Sequence, residues 1–237
     1  MRRAALLICL LLASTSILAA RSLQSYTANY RLLFNGEHVG NARFSLQLTP
    51  DNRYSFEALT RPAGKMIADG ARHEVLEASS GVLRNGTPVP EHYYTAVRSG
   101  DSTDMLELFY DWQNMTLTRK GDNGQQKAAL GNNSQDRLSY LLKAMKLAGD
   151  HRNSAQFPLL TSAGARQLRM RKTNRRYIDT AAGRLLAQEL ELSYGIESPD
   201  RNLWLSVDHN YLPVLLEQKK DKGIVRMELT RILTRSQ

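Results

Sequence analysis

Apolar side chains recur at every second position along most of this chain. Tyr26, Ala28, Tyr30, Leu32 and Phe34 form one such series, and Ala42, Phe44, Leu46 and Leu48 form the next. Asn35-Gly36 and a short further segment separate them, so the two read as a β-hairpin. A period of two puts alternate side chains on one face, and Asn-Gly supplies the left-handed backbone of a tight turn. Tyr54, Phe56 and Ala58 continue the alternation. Further strands are predicted over residues 72–78, 92–98, 105–110 and 115–120, and later over 168–171, 186–194, 204–207, 214–219 and 225–233. Ser79-Ser80-Gly81, Asn85-Gly86, Ser99-Gly100-Asp101 and Gly121-Asp122-Asn123-Gly124 read as turns, and Pro213 suits the first residue of a strand.

One segment has a different period. Leu138, Leu141, Leu142 and Met145 fall three, four and seven residues apart, which is one face of an amphipathic helix over about 136–148. Ser134 or Asn133 is the expected cap. Lys143 and Lys146 suit the negative end of the helix dipole, and Gly149 is the expected stop. Short turns disfavour parallel crossovers. The fold class expected is therefore mainly β, a single domain over residues 21–237. It would be a strongly curved antiparallel sheet, or a half-open or closed β-barrel, with one main amphipathic helix packed on it.

The first twenty residues stand apart. Arg2 and Arg3 precede an unbroken apolar run, 4–13, and Leu18-Ala19-Ala20 supplies small residues before Arg21. This is the layout of a signal peptide cleaved near Ala20. The rival, a retained N-terminal anchor, would have to span with residues 4–20, which fall short of the ~20 apolar residues a membrane helix needs. Cys9, the one cysteine, lies in the apolar run, and its neighbours Leu7, Ile8 and Leu10 are not those of a lipid-attachment site. A mature chain of 217 residues, left when 20 of the 237 are removed, has no thiol, so thiol catalysis, disulfides and Cys-ligated zinc drop out together. Contact with a membrane is expected only through the signal segment.

Charge changes the picture less than its size suggests. The formal net charge is +9, and the loss of Arg2 and Arg3 makes it +7. Arg166, Arg169, Arg171, Lys172, Arg175 and Arg176 crowd into eleven residues without an acid. One reading is a site for an acidic envelope polymer or another polyanion. The other is a solvated strand face: if 168–171 and 186–194 pair antiparallel, Arg169 and Arg171 meet Glu189 and Glu191, leaving Arg175 and Arg176 in the connection. No nucleic-acid partner is expected, since no helix-turn-helix, zinc finger or RNA-binding signature occurs.

No motif names a reaction. His38, His73, His92, His151 and His209 show neither the i, i+2 nor the i, i+4 spacing of a compact metal site. G-x-S-x-G, G-x-G-x-x-G and the phosphate-loop pattern are absent. Asp111-Trp112 and Trp204-x-x-x-Asp208 pair an aromatic with a carboxylate, but sequence gives no separation for acid/base work. A non-enzymatic protein without cofactor or metal is the expectation.

Several landmarks in order resemble the DUF3108 family of exported bacterial proteins of unassigned function. They are Tyr30 with Gly36 and Gly40; Pro90; Phe109-Tyr110-Asp111-Trp112; Asp136-Arg137-Leu138-Ser139; Leu203-Trp204-Leu205-Ser206-Val207-Asp208; and Tyr211-Leu212-Pro213-Val214. The resemblance runs from about residue 25 to 233 and implies a periplasmic or otherwise exported β-rich domain. The final hairpin is also distantly similar to the LolA/LolB lipoprotein carriers, incomplete barrels with an apolar cavity and a helical lid. By that analogy the expected function is a cell-envelope protein binding a lipid or acyl chain in the concave face of its sheet. Leu138, Leu141, Leu142 and Met145 would face the cavity, with Arg169, Arg171, Arg175 and Arg176 at an anionic headgroup on its rim. The alternative is a binding module for an acidic envelope polymer or an envelope protein.

Overall fold

The alternation along the chain becomes fourteen strands of one antiparallel sheet. The computed structural model describes residues 23–64, 73–122, 124–195 and 199–235, and the signal segment read over 1–20 lies outside them. The first half is a meander: β1 (Tyr26–Phe34), β2 (Glu37–Leu48), β3 (Arg53–Pro62), β4 (His73–Arg84), β5 (Thr87–Ser99), β6 (Ser102–Asp111), β7 (Thr116–Gly121) and β8 (Gly124–Ala129). Helix α1 (Ser139–Gly149) follows. A second meander completes the chain: β9 (Ser154–Thr161), β10 (Gly164–Thr180), β11 (Gly183–Tyr194), β12 (Arg201–Ser206), β13 (Leu212–Lys220) and β14 (Gly223–Arg235). β1 pairs with both β2 and β14, which joins the two meanders through the chain's ends.

The sheet's free edges are β8 and β9, and they are not hydrogen-bonded to each other. The chain between β8 and α1 bridges part of the gap. The Gln135 amide N–H donates to the Pro158 carbonyl (2.9 Å), and the Leu160 N–H donates to Gln135 (2.8 Å). Higher up, the Arg119 guanidinium on β7 donates to the Ser162 carbonyl beyond β9. The sheet does not close on itself; among the described residues a linker and one arginine bridge its seam.

Helix α1 sits inside this curl. Eight of its eleven residues are buried, including Ser139, Tyr140, Ala144, Leu147 and Ala148, which lie outside the four-residue apolar face read from the sequence. The expected lid with a wet face is therefore corrected to an internal plug touching β5, β9, β11 and β13. Small residues permit it, because Ser139, Ala144 and Ala148 keep the helix thin where strands approach. Lys143 and Lys146 escape the interior: the Lys143 ammonium lies 4.6 Å from the Phe157 ring centre, and Lys146 donates to the Asn85 carbonyl. Gly149 ends the helix, and a β-carbon there would stand 2.8 Å from the Tyr211 ring. The helix packs beside an aromatic cluster on the sheet, in which Tyr30–Phe44 and Phe44–Phe56 have ring centres 4.9 and 5.8 Å apart.

Four local expectations need correction. Ser79-Ser80-Gly81 is not a turn but a bulge within β4, where the backbone of β5 comes so close that a β-carbon on Gly81 would collide with the Val89 carbonyl. β8 and β9 carry no predicted strand, yet both form. The helix is capped by neither Ser134 nor Asn133 but by Asp136. Arg175 and Arg176 are not in a connection, because β10 continues through them past a bulge to a turn at Ala181-Ala182. The far part of the β10–β11 hairpin is a long arm folded back on the outside of the sheet. The Ala181 N–H donates to Glu228 on β14 (2.7 Å), and Glu228 also holds Arg31 on β1 (2.9 Å). The arm covers Trp204, whose ring lies beneath the Arg176 guanidinium and is 3% exposed.

Leu142 is fully buried at the centre of the plug. Leu142→Ala is expected to lower unfolding free energy by about 3 kcal/mol in urea denaturation; a loss below about 1 kcal/mol would show that the helix does not pack against the sheet as described.

Candidate functional site

Asp136-Arg137-Leu138-Ser139 leads the chain from the seam into the interior, and each residue has a distinct task. The Asp136 carboxylate accepts from the Leu138 and Ser139 amides (2.9 and 2.7 Å), which satisfies the helix's first free N–H groups. The Ser139 hydroxyl in turn accepts from the Asp136 N–H (2.9 Å), a reciprocal cap. The other Asp136 oxygen accepts from Ser79 on β4 (2.8 Å), whose hydroxyl also meets Tyr54 (3.3 Å). Burial pushes the Asp136 carboxyl above the usual 3.8, while the bonds from Ser139, Ser79 and Leu138 pull the other way. The helix is thereby tied to the middle of the sheet by a buried acid.

Arg137 turns to the end of the barrel that carries the β1–β2, β5–β6 and β13–β14 turns, which is open among the described residues. Its Nε pairs with Glu77 on β4 (3.0 Å), and Glu77 accepts from the Tyr93 hydroxyl (2.5 Å). Glu77 raises the guanidinium's already high pKa, while the Arg137 side chain keeps 58% of its surface exposed. Leu138 and Leu141 form the floor beneath it. Above them opens a cavity of about 270 Å³, with Leu32, Phe44, Val75, Leu216 and Met227 on its walls and Gln218 at its mouth. Its volume lies just under the range of roughly 300–1,000 Å³ typical of small-ligand pockets.

Arg201 stands on the inward face beside this cup, paired across β12–β13 with Gln218. Its side chain is 10% exposed, its Nε reaches Asp200 (3.4 Å), and its guanidinium carbon lies 4.5 Å from the Tyr194 ring centre. Arg166 covers the same ring at 4.0 Å. The Arg201 Nη2 is buried without a hydrogen-bond partner.

A second cleft, about 390 Å³, follows the seam between β8 and the β9–β10 hairpin, where Leu108, Leu117, Leu160 and Arg166 meet edge backbone. It is larger but is bounded by two unpaired strand edges, whereas the cup is enclosed by paired strands and the plug.

The residues expected at a binding face are only partly brought together. Leu138 and Leu141 line the cup, Leu142 is core, and Met145 lies toward the other end, by Tyr26 and His209. None of the four arginines expected at the rim lines the cup. Arg171 projects to the outer face and pairs with Glu191 (2.5 Å), and Arg169 shares that face. Arg175 donates to Gln188 (2.9 Å) near the opposite end, and Arg176 stacks on Trp204 beneath the arm. The crowded basic run is therefore dispersed over both faces of a strand. Of the cations near the cup, Arg137 lines it from the turn that enters the helix, and Arg201 stands beside it on β12, where only strand register marks it as inward. Among the described residues no cluster of three metal-ligating side chains occurs, and no helix is long and apolar enough to cross a membrane.

A family model described as a protein of unknown function, DUF3108, matches residues 25–230. The chain belongs to the DUF3108 family. No curated protein matches it. Among solved structures, it is similar to a beta-barrel-like protein of the domain of unknown function DUF1849 from Brucella abortus. The TM-score is 0.58 at 8% identity, over 91% of this chain and 99% of that one, which is a likeness of fold. In this DUF3108 chain the landmarks are largely scaffold. Tyr30 donates to the Pro213 carbonyl (3.0 Å), and Trp112 donates to the Pro90 carbonyl (2.6 Å). Gly40 passes the Arg61 backbone too closely for a side chain. Of the helix-entry landmark, Arg137 and Leu138 face the cup.

A raised carboxyl pKa has a definite sign in stability. The folded state holds the Asp136 proton more tightly than the unfolded chain, so this group's contribution declines as pH rises above the usual 3.8 and levels off above its folded value. The unfolding free energy of the wild type minus that of Asp136→Asn should therefore fall between pH 3.5 and neutrality, on the order of these carboxylate pKa values. A difference that grows over that interval would contradict the buried, destabilised carboxylate.

Proposed function

We propose that this chain is an exported, periplasmic, non-enzymatic protein of the cell envelope that holds an apolar chain, such as the acyl chain of a lipid, in the cup at the open end of its barrel. The observation that carries the reading is the cup itself: about 270 Å³ of space with apolar walls and a helix floor, open where the strands end. Apolar space of this kind is unfavourable to leave empty, since packed interiors approach crystal density and their voids are few and small. The chemistry on its wall suits binding rather than turnover. Glu77 is engaged by both Tyr93 and Arg137, and among the described residues lining the cup no nucleophile stands beside a base. The proposed export rests on Arg2, Arg3 and the apolar run of residues 4–13.

Val75 is half-buried at the mouth and carries little of the core, so filling the cup from there leaves the fold intact. A neutral fluorescent probe, N-phenyl-1-naphthylamine, is expected to bind the wild type with enhanced emission. Val75→Trp is expected to weaken its binding about tenfold, in line with the loss of one apolar contact surface of ~1.4 kcal/mol. No probe binding by wild type, or undiminished binding by a folded Val75→Trp, overturns the reading.

A further inference from the structure

We infer that the occupant of the cup is an anionic amphiphile, its apolar chain on the floor of Leu138 and Leu141 and its carboxylate or phosphate head held between Arg137 and Arg201; this rests on the reading of the cup as an apolar-chain site. Two independent features point to a negative head. The first is the state of Arg201. Its side chain is nine-tenths buried, its Nε bond to Asp200 is long at 3.4 Å, and its Nη2 has no partner. A buried guanidinium donor left unpaired is a costly arrangement that a ligand oxygen would repair. The second is the way Arg137 is held. Glu77 takes its Nε and Tyr93 holds Glu77, so the side chain is oriented by the protein while most of its surface stays open. Glu77 takes the Nε, and the terminal nitrogens of a guanidinium are the donors that grip a planar or tetrahedral oxyanion.

The two arginines belong to one place. Arg201 pairs with Gln218, which lines the cup, and Tyr140 in the first turn of α1 lies within electrostatic reach of both guanidiniums. Among the described residues, Glu77 pairs with Arg137 and Asp200 with Arg201. The exposed guanidinium of Arg137 above an apolar floor is complementary to a chain with a negative head and opposed to one with a cationic head.

Displacement of N-phenyl-1-naphthylamine from the full mature chain tests this, using four ligands of one chain length at pH 8 and low salt: decanoate, decyl phosphate, decanol and decyltrimethylammonium. Decanoate or decyl phosphate is expected to displace the probe at a concentration about tenfold below that of decanol, the size of one charge-assisted hydrogen bond. Which of the two anions leads identifies the head as carboxylate or phosphate. Arg137→Gln is expected to remove most of that preference and leave decanol unchanged. Arg201→Gln should do the same if its melting curve shows it folded, and Arg137→Gln, at an exposed side chain, carries the test if it does not. Equal displacement by anions and decanol overturns the headgroup assignment but leaves the apolar cup standing. Displacement by decyltrimethylammonium as strong as by the anions overturns it too. Failure of every ligand, together with no binding of the probe, overturns both.

Discussion

A curled sheet of fourteen strands encloses more space than its own inward side chains can fill, and every other feature of this molecule follows from how that space is occupied. Helix α1 takes most of it, buried on nearly its whole circumference. A helix inside a β-structure brings unpaired amides with it, and those at its start are satisfied by Asp136 at the centre of the protein rather than by water. The same carboxylate reaches Ser79 on β4, so one buried acid caps the start of the helix and fixes its depth. Because the helix starts there and runs toward the end bearing Asn85 and Tyr211, the other end of the barrel stays open above Leu138 and Leu141.

The linker that carries Asp136 also manages the sheet's edges. β8 is a short, exposed strand and β9 is the other terminus of the sheet. Exposed edges invite pairing with another chain. Here the backbone of Gln135 occupies part of the β9 edge, and Arg119 spans the seam to Ser162. On the other side of the sheet, the β10–β11 arm covers Trp204 with Arg176 and Ile178, and it is held at its tip by Glu228. That arm takes up Arg175 and Arg176, while Arg171 pairs with Glu191, so the basic run is spread along the strand rather than gathered in one place.

The fold was largely readable from the chain because its two periods are strong. Asn35-Gly36 and Asn85-Gly86 sit in left-handed turns, and the inward series of β1, β2 and β3 alternate without interruption. What escaped notice had weak patterning for physical reasons. β8 is exposed at every position, so it has no apolar face to betray it. Ser79-Ser80-Gly81 has the composition of a turn but serves a bulge where β5 comes close. The buried residues outside the predicted helix face are Tyr140 and Leu147 together with Ser139, Ala144 and Ala148, and the last three carry little hydrophobic signal because the interior requires them to be small. The floor of the cup, Leu138 and Leu141, could be found by period alone. Arg201 could not, since an inward arginine on a strand differs from an outward one only by register with strands far away in sequence, nor could Arg137, whose place is set by Glu77 on a distant strand.

The most direct measurement of where a chain binds is a methyl NMR titration of decanoate into protein labelled at Leu, Val and Met. Occupation of the cup predicts shifts at Leu32, Val75, Leu141 and Met227 that saturate together, with Leu142, Leu168 and Leu190 in the closed core unmoved. Shifts confined to Leu108, Leu117 and Leu160 along the seam, or none at any methyl, would contradict it.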